Sequence, residues 1–259
     1  AAKPTDEFPY LPQIVKEKHV EISQFTLKDI IRQTVFSISD NENTKVMTGE
    51  LFEITDNKLK VVSLDGHRIS IRNVELNNSY DNISVIIPGK TLIEINKILN
   101  GGVDDIVKIY FTDKHILFEF ENTVVLSRLI EGEYYKIDKM LSSDYETKIT
   151  VNKKEMLDSI DRTTLLMKES EKKPVIIDIK DNSMGLAMNS SIGSMDEEID
   201  AVKEGKDILI GFNPRFLIDA LRVIDDEEIT LYMINPKAPC FIRDKDESYI
   251  YLILPVNFN

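Results

Sequence analysis

Cysteine is nearly absent from this sequence of 259 residues, which contains a single copy, Cys240. A lone cysteine excludes a disulfide within the chain and fits the reducing conditions of the cytoplasm, where we expect the protein to function. Cys240 lies in the short apolar stretch 239–242, and we predict that it is a buried residue of a strand. No apolar run approaches the roughly 18 residues that a membrane span requires, so we predict no contact with a membrane.

The sequence also lacks the short motifs that mark common catalytic and cofactor sites. It has no GxxxxGK(S/T) phosphate loop, no GxGxxG after a strand, no HExxH and no paired cysteines. The histidines His19, His67 and His115 are far apart, and none has a carboxylate or cysteine at the spacing of a metal site. Acidic runs at 196–198 and 225–228 are typical of solvated loops. We therefore predict no metal, no cofactor and no catalytic residue.

Positive charge is in short supply as well, since the formal net charge is −13 at pH 7. This balance argues against a protein that holds nucleic acid by its overall charge, although a locally basic face is still allowed. With 42% hydrophobic residues the chain can bury a sizeable core, and its length predicts two domains.

One apolar pattern recurs four times along the chain. In each copy an apolar residue precedes an apolar pair by five and six positions, as Phe25 precedes Ile30 and Ile31. The other copies begin at Ile87, Val151 and Phe212. The intervals are about 60 residues, which predicts an internal repeat of one helix and several short antiparallel strands. Coincidence within an ordinary α+β protein is the alternative explanation.

The four predicted helices differ in charge from the rest of the chain. They cover residues 26–36, 88–99, 152–169 and 213–224. Thr26 is expected to cap the first helix, with Phe25 packed against Ile30. Together the helices carry about +3, which leaves about −16 for the remainder. A surface shared by all four would be far less acidic than the rest, although lysine and arginine also favour exposed helix positions in general.

Residues 51–76 predict three consecutive antiparallel strands, because apolar and polar residues alternate there. The pairs Asp56-Asn57 and Asp65-Gly66 supply the chemistry of the two turns, and a further loop is predicted at 77–78. His67 and Arg68 follow the second turn at once. That turn is either a polar hairpin tip or part of a functional site.

Five short stretches, read together, point to a known family. They are DGHR at 65–68, IPGK at 87–90, RLIEG at 128–132, GFNP at 211–214 and YIYLILPV at 249–256. In this order and spacing they resemble the bacterial DNA polymerase III beta subunits, the replicative sliding clamps. The resemblance runs from Glu7 to Phe258.

The resemblance implies an α+β DNA-clamp fold. Two similar domains, each of two helix-plus-antiparallel-strand repeats, would place helices on an inner face and sheets outside. Residues 1–13 would be an interdomain linker that follows a first domain before Ala1, residues 14–138 the central domain, and residues 139–259 the C-terminal domain. A full-length member forms a head-to-tail homodimer.

The function implied by the resemblance is that of a processivity factor, a non-catalytic subunit of the DNA polymerase III holoenzyme. Its ring encircles duplex DNA without regard to sequence. It tethers the polymerase alpha subunit, the clamp loader and other proteins that carry a clamp-binding motif. The residues expected to face DNA are the basic residues of the helices: Lys28, Arg32, Lys90, Lys97, Lys153, Lys154, Arg162, Arg215 and Arg222.

Partner proteins of the family insert a short peptide into an apolar pocket between the second and third domains. By motif, the pocket here comprises Met47, Leu64, Gly66, His67, Arg68, Ile69, Tyr135, Lys139, Met140, Asn213, Phe216, Lys237, Pro239, Leu252, Ile253, Leu254, Pro255 and Val256. Apolar walls would hold an anchor side chain, while His67, Arg68 and Asn213 would orient the peptide.

The chain departs from the family pattern at the rim of this pocket. Tyr134-Tyr135 stands where Phe-Pro is usual, Lys139 where arginine is common, and Asn257 where arginine is usual. We expect these differences to change the preferred peptide and to leave the pocket itself in place.

Two other classes of function compete with this interpretation. One is a hydrolase or transferase with its site at the His67-Arg68 turn, and the other is a purely structural repeat protein. An enzyme would lose turnover on His67→Ala with its fold intact, whereas a clamp has no turnover to lose. A structural repeat protein has no use for an apolar C-terminal strand docked beside that turn.

Overall fold

The computed structural model describes residues 16, 18–166 and 173–258. The strands of the N-terminal half are β1 Val20–Ser23, β2 Gly49–Leu64, β3 Arg68–Pro88, β4 Ile106–Phe111, β5 His115–Phe120 and β6 Thr123–Arg128. Those of the C-terminal half are β7 Thr147–Asn152, β8 Val175–Lys180, β9 Ser183–Asn189, β10 Ser194–Gly205, β11 Ile208–Phe212, β12 Glu228–Met233, β13 Cys240–Arg243 and β14 Tyr249–Ile253. The helices are α1 Gln24–Thr34, α2 Gly89–Ile98, α3 Lys153–Thr164 and α4 Pro214–Val223.

The strands form two antiparallel sheets, and one of them crosses the whole molecule. The smaller has the order β1-β4-β5-β6, and the ten-stranded sheet has the order β11-β8-β9-β10-β7-β12-β13-β14-β3-β2. In the larger sheet β14 pairs with β3, so that Leu252 lies opposite Ile69 and Ile253 opposite Arg68. The last strand of the C-terminal half is therefore hydrogen-bonded to the N-terminal half.

The helices form a second layer in which α2 contacts α1, α1 contacts α4, and α4 contacts α3. The order of helices and strands confirms the predicted α+β repeats. Observed helix bounds match the predictions at 88–99 and 213–224 to within a residue, while part of the helix predicted at 152–169 lies outside the described residues. No helix among the described residues has the length and hydrophobicity needed to cross a membrane.

The first copy of the repeat begins three residues earlier than predicted. Helix α1 starts at Gln24, and Ser23 is its cap, with the Ser23 side chain accepting from the Thr26 backbone N–H at 3.0 Å. Phe25 is 54% exposed, so it does not pack against Ile30 as predicted. The true counterpart of Ile87, Val151 and Phe212 is Ile22, which precedes the fully buried Leu27 by five positions.

The prediction of three strands over 51–76 was wrong at its first turn. β2 continues through Asp56, which has a positive φ of 56° and lies at a register shift against β3. A short polar side chain tolerates this left-handed conformation, so Asp56 forms a β-bulge where the sequence indicated a turn. The loop predicted at 77–78 likewise lies within β3, whereas the turn at Asp65-Gly66 is confirmed.

Three clusters of buried apolar residues stabilise the layers. One fills the N-terminal half between Val20 and Phe120, and one fills the C-terminal half between Ile149 and Ile253. The third cluster covers the outer face of β2, β3 and β14. Ile130 and Ile137 pack there, and they belong to the connector, residues 129–146, between β6 and β7. Cys240 is fully buried, as predicted, and burial raises the pKa of its thiol to about 12, which leaves it inert at neutral pH.

Glu50 is a fully buried carboxyl group at the start of β2. Neither of its carboxylate oxygens has a hydrogen-bond partner among the described residues, because the nearby Thr34 hydroxyl donates to the Ile30 carbonyl at 2.8 Å. Burial raises the pKa of Glu50 to about 8, so the carboxyl is mostly protonated at neutral pH.

The free energy of unfolding should therefore fall as the pH rises from about 4.5 to about 8, because the unfolded chain ionises Glu50 first. Glu50→Gln, which mimics the neutral carboxyl, should gain stability over the wild type by up to about 1.4 kcal/mol per pH unit in that window. Urea titrations at about pH 5 and about pH 8 measure the difference. Glu75→Gln on β3 is exposed and serves as the control; an equal pH dependence of both variants would contradict the assignment.

Candidate functional site

The turn between β2 and β3 is held by one aspartate. Asp65 accepts hydrogen bonds through Oδ1 from the backbone N–H groups of His67 at 2.9 Å and Arg68 at 3.1 Å. Gly66 has φ of 92°, a left-handed conformation that side chains disfavour. His67 is exposed on this turn, with its ring 6.1 Å from that of Phe216 on α4.

Each of the three nitrogen atoms of the Arg68 guanidinium donates a hydrogen bond within the protein. Its Nε donates to Asp65 at 3.0 Å, its Nη1 to Asp219 of α4 at 2.6 Å, and its Nη2 to the Phe36 carbonyl at 2.6 Å. The guanidinium lies 4.5 Å from the centre of the Phe216 ring, and the side chain is 11% exposed. Arg68 is thus a link between the two halves of the chain.

The segment after β14 continues past the same turn. The Leu254 N–H donates to the His67 carbonyl at 2.9 Å, and the Val256 N–H donates to the Gly211 carbonyl at 2.8 Å. A Cβ on Gly211 would approach the Phe258 ring to 2.6 Å and the Val256 carbonyl oxygen to 3.1 Å. Glycine at this position allows residues 254–258 to cross the end of β11.

The structure brings together most of the predicted pocket residues. Leu64, Ile69 and Leu252 belong to the third cluster, against which Met47 and Leu254 pack. Lys237, Pro255 and Val256 line a cleft of about 390 Å³ together with Pro236 and Asn257. Pro239 is partly exposed beside the buried Cys240.

Other predicted pocket residues lie elsewhere or have another task. Ile253 is 1% exposed and belongs to the C-terminal core. The Asn213 side chain caps α4 by accepting from the Arg215 backbone N–H at 3.1 Å. Tyr135 lines a different cleft, of about 540 Å³, between the connector and the outer face of β2 and β3. Lys139 and Met140 are exposed on the 3₁₀ turn Asp138–Met140.

Sequence reasoning missed Asp219, Asp65 and the Phe36 carbonyl as parts of the site. Asp219 follows Phe216 by three positions on α4, and residues at that spacing share one face of a helix. The signal was present, because the predicted pocket residue Phe216 implied a neighbour at Asp219.

Several of the basic residues expected to face DNA bond to backbone carbonyls instead. Lys28 of α1 donates to the Leu99 carbonyl at the end of α2, at 2.8 Å. Lys153 of α3 donates to the Ile224 carbonyl at the end of α4, at 2.6 Å. A cation at a helix C-terminus satisfies an unpaired carbonyl and the helix dipole. Arg32 similarly donates to the Val223 carbonyl at 2.9 Å and pairs with Asp29 and Asp225.

The remaining helix cations divide into paired and unpaired groups. The paired ones form the ion pairs Lys97–Glu94, Lys154–Asp158, Arg162–Glu197 and Arg222–Asp161. Lys90 at the start of α2 and Arg215 at the start of α4 are exposed. Among the described residues, neither of their side chains has a hydrogen bond or an ion pair. Within the ranges that the structure describes, Lys90 and Arg215 are therefore the helix cations that are free to meet an external anion.

No group of three or more histidine, cysteine, aspartate or glutamate residues within the described ranges could hold a metal ion. The candidate site is the junction of the His67-Arg68 turn, α4 and residues 254–258, with the helix layer as a second surface. Its chemistry is that of apolar contact and hydrogen bonding.

Comparisons with known proteins identify the family. Family models describe residues 21–136 as the central domain and residues 138–257 as the C-terminal domain of the DNA polymerase III beta subunit. The beta sliding clamp of Staphylococcus aureus is 35% identical over 254 residues, which is 97% of this chain and 67% of that protein.

Solved structures agree with the sequence relatives. A putative DNA polymerase III beta subunit from Eubacterium rectale is 64% identical, with a TM-score of 0.96 over 99% of this chain and 70% of that chain. The DNA polymerase sliding clamp from Bacillus subtilis is 36% identical, with a TM-score of 0.95 over 98% of this chain and 68% of that chain. The fold is the DNA-clamp fold that the sequence resemblance implied, and the chain belongs to the DNA polymerase III beta subunit family, whose members are the sliding clamps of DNA polymerase.

Proposed function

We propose that this chain supplies the central and C-terminal domains of a processivity clamp, over residues 14–138 and 139–259. The full-length protein would close into a head-to-tail dimeric ring around duplex DNA. The observation that carries the proposal is the junction of the two halves, where β14 pairs with β3 and α1 contacts α4. This junction gives one continuous sheet on one side, one continuous helix layer on the other, and a cleft at its edge.

The helix layer is the surface proposed to face DNA. Most of its cations already donate to carboxylates or carbonyls of the same chain, and among the described residues Lys90 and Arg215 are the two helix cations without such a partner. A surface with few free cations lets a phosphate backbone slide past, whereas many free cations would hold it in place. Encirclement, more than affinity, would keep the clamp on DNA.

The junction beside residues 254–258 is the proposed docking site for the polymerase alpha subunit, the clamp loader and other proteins with a clamp-binding motif. Leu254 and Phe216 are partly exposed there and supply apolar contact area. The exposed His67 accepts a hydrogen bond from the Leu254 N–H through its carbonyl, and Pro255, Val256 and Asn257 line the cleft together with Lys237. A short peptide with one or two apolar anchors suits such a surface.

In this role the chain is a non-catalytic subunit of a DNA-directed DNA polymerase, and it acts in the cytoplasm, where the bacterial chromosome is copied. No observation favours the hydrolase or transferase alternative at the His67-Arg68 turn. All three nitrogen atoms of the Arg68 guanidinium are bonded within the protein, and Asp65 is used by the turn.

Lys90→Glu together with Arg215→Glu should weaken the binding of a short linear duplex at about 50 mM salt, because two phosphate contacts are lost. The slope of log affinity against log salt should become shallower by up to about 1.8. Fluorescence anisotropy with a labelled duplex measures both quantities. Lys154→Glu is the control, since Lys154 is exposed but already paired with Asp158; an equal loss in the control would contradict the assignment of the free cations.

Leu254→Ala should weaken the binding of a peptide with the type of motif that partners of the family use, glutamine followed by aliphatic and aromatic residues. A buried anchor contact is worth about 2 kcal/mol, or about 30-fold in affinity. Deleting residues 254–259 should abolish binding, with circular dichroism to check that the fold remains. Val124→Ala, an exposed apolar residue on β6, is the matched control. Full affinity in a folded deletion variant would show that the peptide binds elsewhere.

A further inference from the structure

Arg68 forms hydrogen bonds with three separate segments of the chain. They are its own turn through Asp65, the 3₁₀ turn Val35–Ser37 through the Phe36 carbonyl, and helix α4 through Asp219. The guanidinium also lies between two aromatic rings, 5.4 Å from that of Phe36 and 4.5 Å from that of Phe216. The two rings come from opposite halves of the chain, so Arg68 contacts both halves at once.

Of the three Arg68 acceptors, Asp219 is the one that belongs to the C-terminal half. Asp65 already accepts two backbone N–H groups of the turn, and the Phe36 carbonyl lies in the N-terminal half. Within the part of the chain that the structure describes, the Arg68–Asp219 ion pair is therefore the polar bond that joins the turn to α4. It is only partly exposed, at 11% for Arg68 and 38% for Asp219, so solvent screens it less than a surface pair.

Phe216 lies one helical turn before Asp219 on the same face of α4. Its ring contacts the Arg68 guanidinium and approaches the His67 ring, and it forms one side of the proposed docking site. The position of α4 relative to the turn therefore determines where Phe216 lies relative to residues 254–258.

We propose that Asp219 is a positioning residue for partner binding. Without contacting the partner peptide, it holds Arg68 between Phe36 and Phe216 and so keeps the two sides of the docking site at the separation that the peptide requires. This inference rests on the proposed function of the site. It differs from the family expectation that Arg68 orients the peptide directly, since every nitrogen of Arg68 is already bonded within the chain.

The two roles of Arg68 predict opposite effects for the loss of Asp219. If Arg68 contacts the peptide, removing Asp219 frees a cation and leaves binding unchanged or tighter. If Arg68 is a fixed link, removing Asp219 releases α4 from the turn. Part of the binding free energy of the peptide is then used to order the site again, and the affinity falls. The sign of the change in affinity therefore separates them.

Asp219→Ala should weaken peptide binding about tenfold, the scale of one charge-assisted hydrogen bond. In a background of Arg68→Ala, the same substitution should have no further effect, because the link is already lost. Isothermal titration calorimetry on the four proteins gives this cycle, and the NMR signal of the Arg68 Nε–H should stay in place when peptide is added to the wild type. Asp161→Ala on α3 is the control, because it breaks the ion pair with Arg222 away from the site.

Equal or tighter peptide binding by Asp219→Ala overturns the inference, and so does an additive double variant. Should Asp219→Ala not fold, Asp219→Asn keeps the shape and one acceptor, and it should show a smaller loss in the same direction; unchanged binding would again overturn the inference. A wild-type chain that binds no peptide overturns the proposed docking function itself. Wild-type binding together with an unaffected Asp219 variant overturns the positioning role alone.

Discussion

The backbone pairing of β14 with β3 is the constraint on which the rest of the structure depends. Because side chains alternate along a strand, β14 serves two cores at once, with Leu252 in the third cluster and Ile253 in the C-terminal core. The ladder continues for one more bond, from Leu254 to the His67 carbonyl. The turn and residues 254–258 therefore meet directly beyond the paired part of β14 and β3. The candidate site forms only when the two halves of the chain are paired.

A sheet alone can bend between neighbouring strands. Contacts outside the sheet are therefore also needed to hold the two halves of the chain in one orientation. The helix layer supplies such contacts, since Arg32 of α1 bonds to the end of α4 and to Asp225. Between the layers, the Tyr251 hydroxyl donates to the Gln33 carbonyl at 3.1 Å, and Phe36 packs into the C-terminal core. These contacts join the two halves through side chains, in addition to the backbone pairing of β3 with β14. The orientation of the two halves is therefore fixed by several weak contacts at separate points.

The sequence predicted the repeat and the family, but not the details that depend on three-dimensional neighbours. Periodicity located the helices, yet Phe25 and Ile22 are both apolar, and only burial shows that Ile22 begins the first repeat. Asp56 and Asp65 carry the same turn chemistry, and strand pairing alone decides that one is a bulge and the other a turn. Lys28 and Lys90 occupy similar positions in the helical pattern, although Lys28 donates to the Leu99 carbonyl at the end of another helix. Partners distant in sequence leave no local signal.

The long sequence separation between β3 and β14 also has a consequence for biosynthesis. β3 leaves the ribosome well before β14, and until then the strand that later accepts β14 has an unpaired edge. Such an edge can pair with another chain, which is a route to aggregation and to domain swapping. The outer face of β3 carries apolar residues of the third cluster, so the surface beside this edge is also hydrophobic. Until β14 has been made, β3 therefore exposes an unpaired edge and an apolar face at the same time.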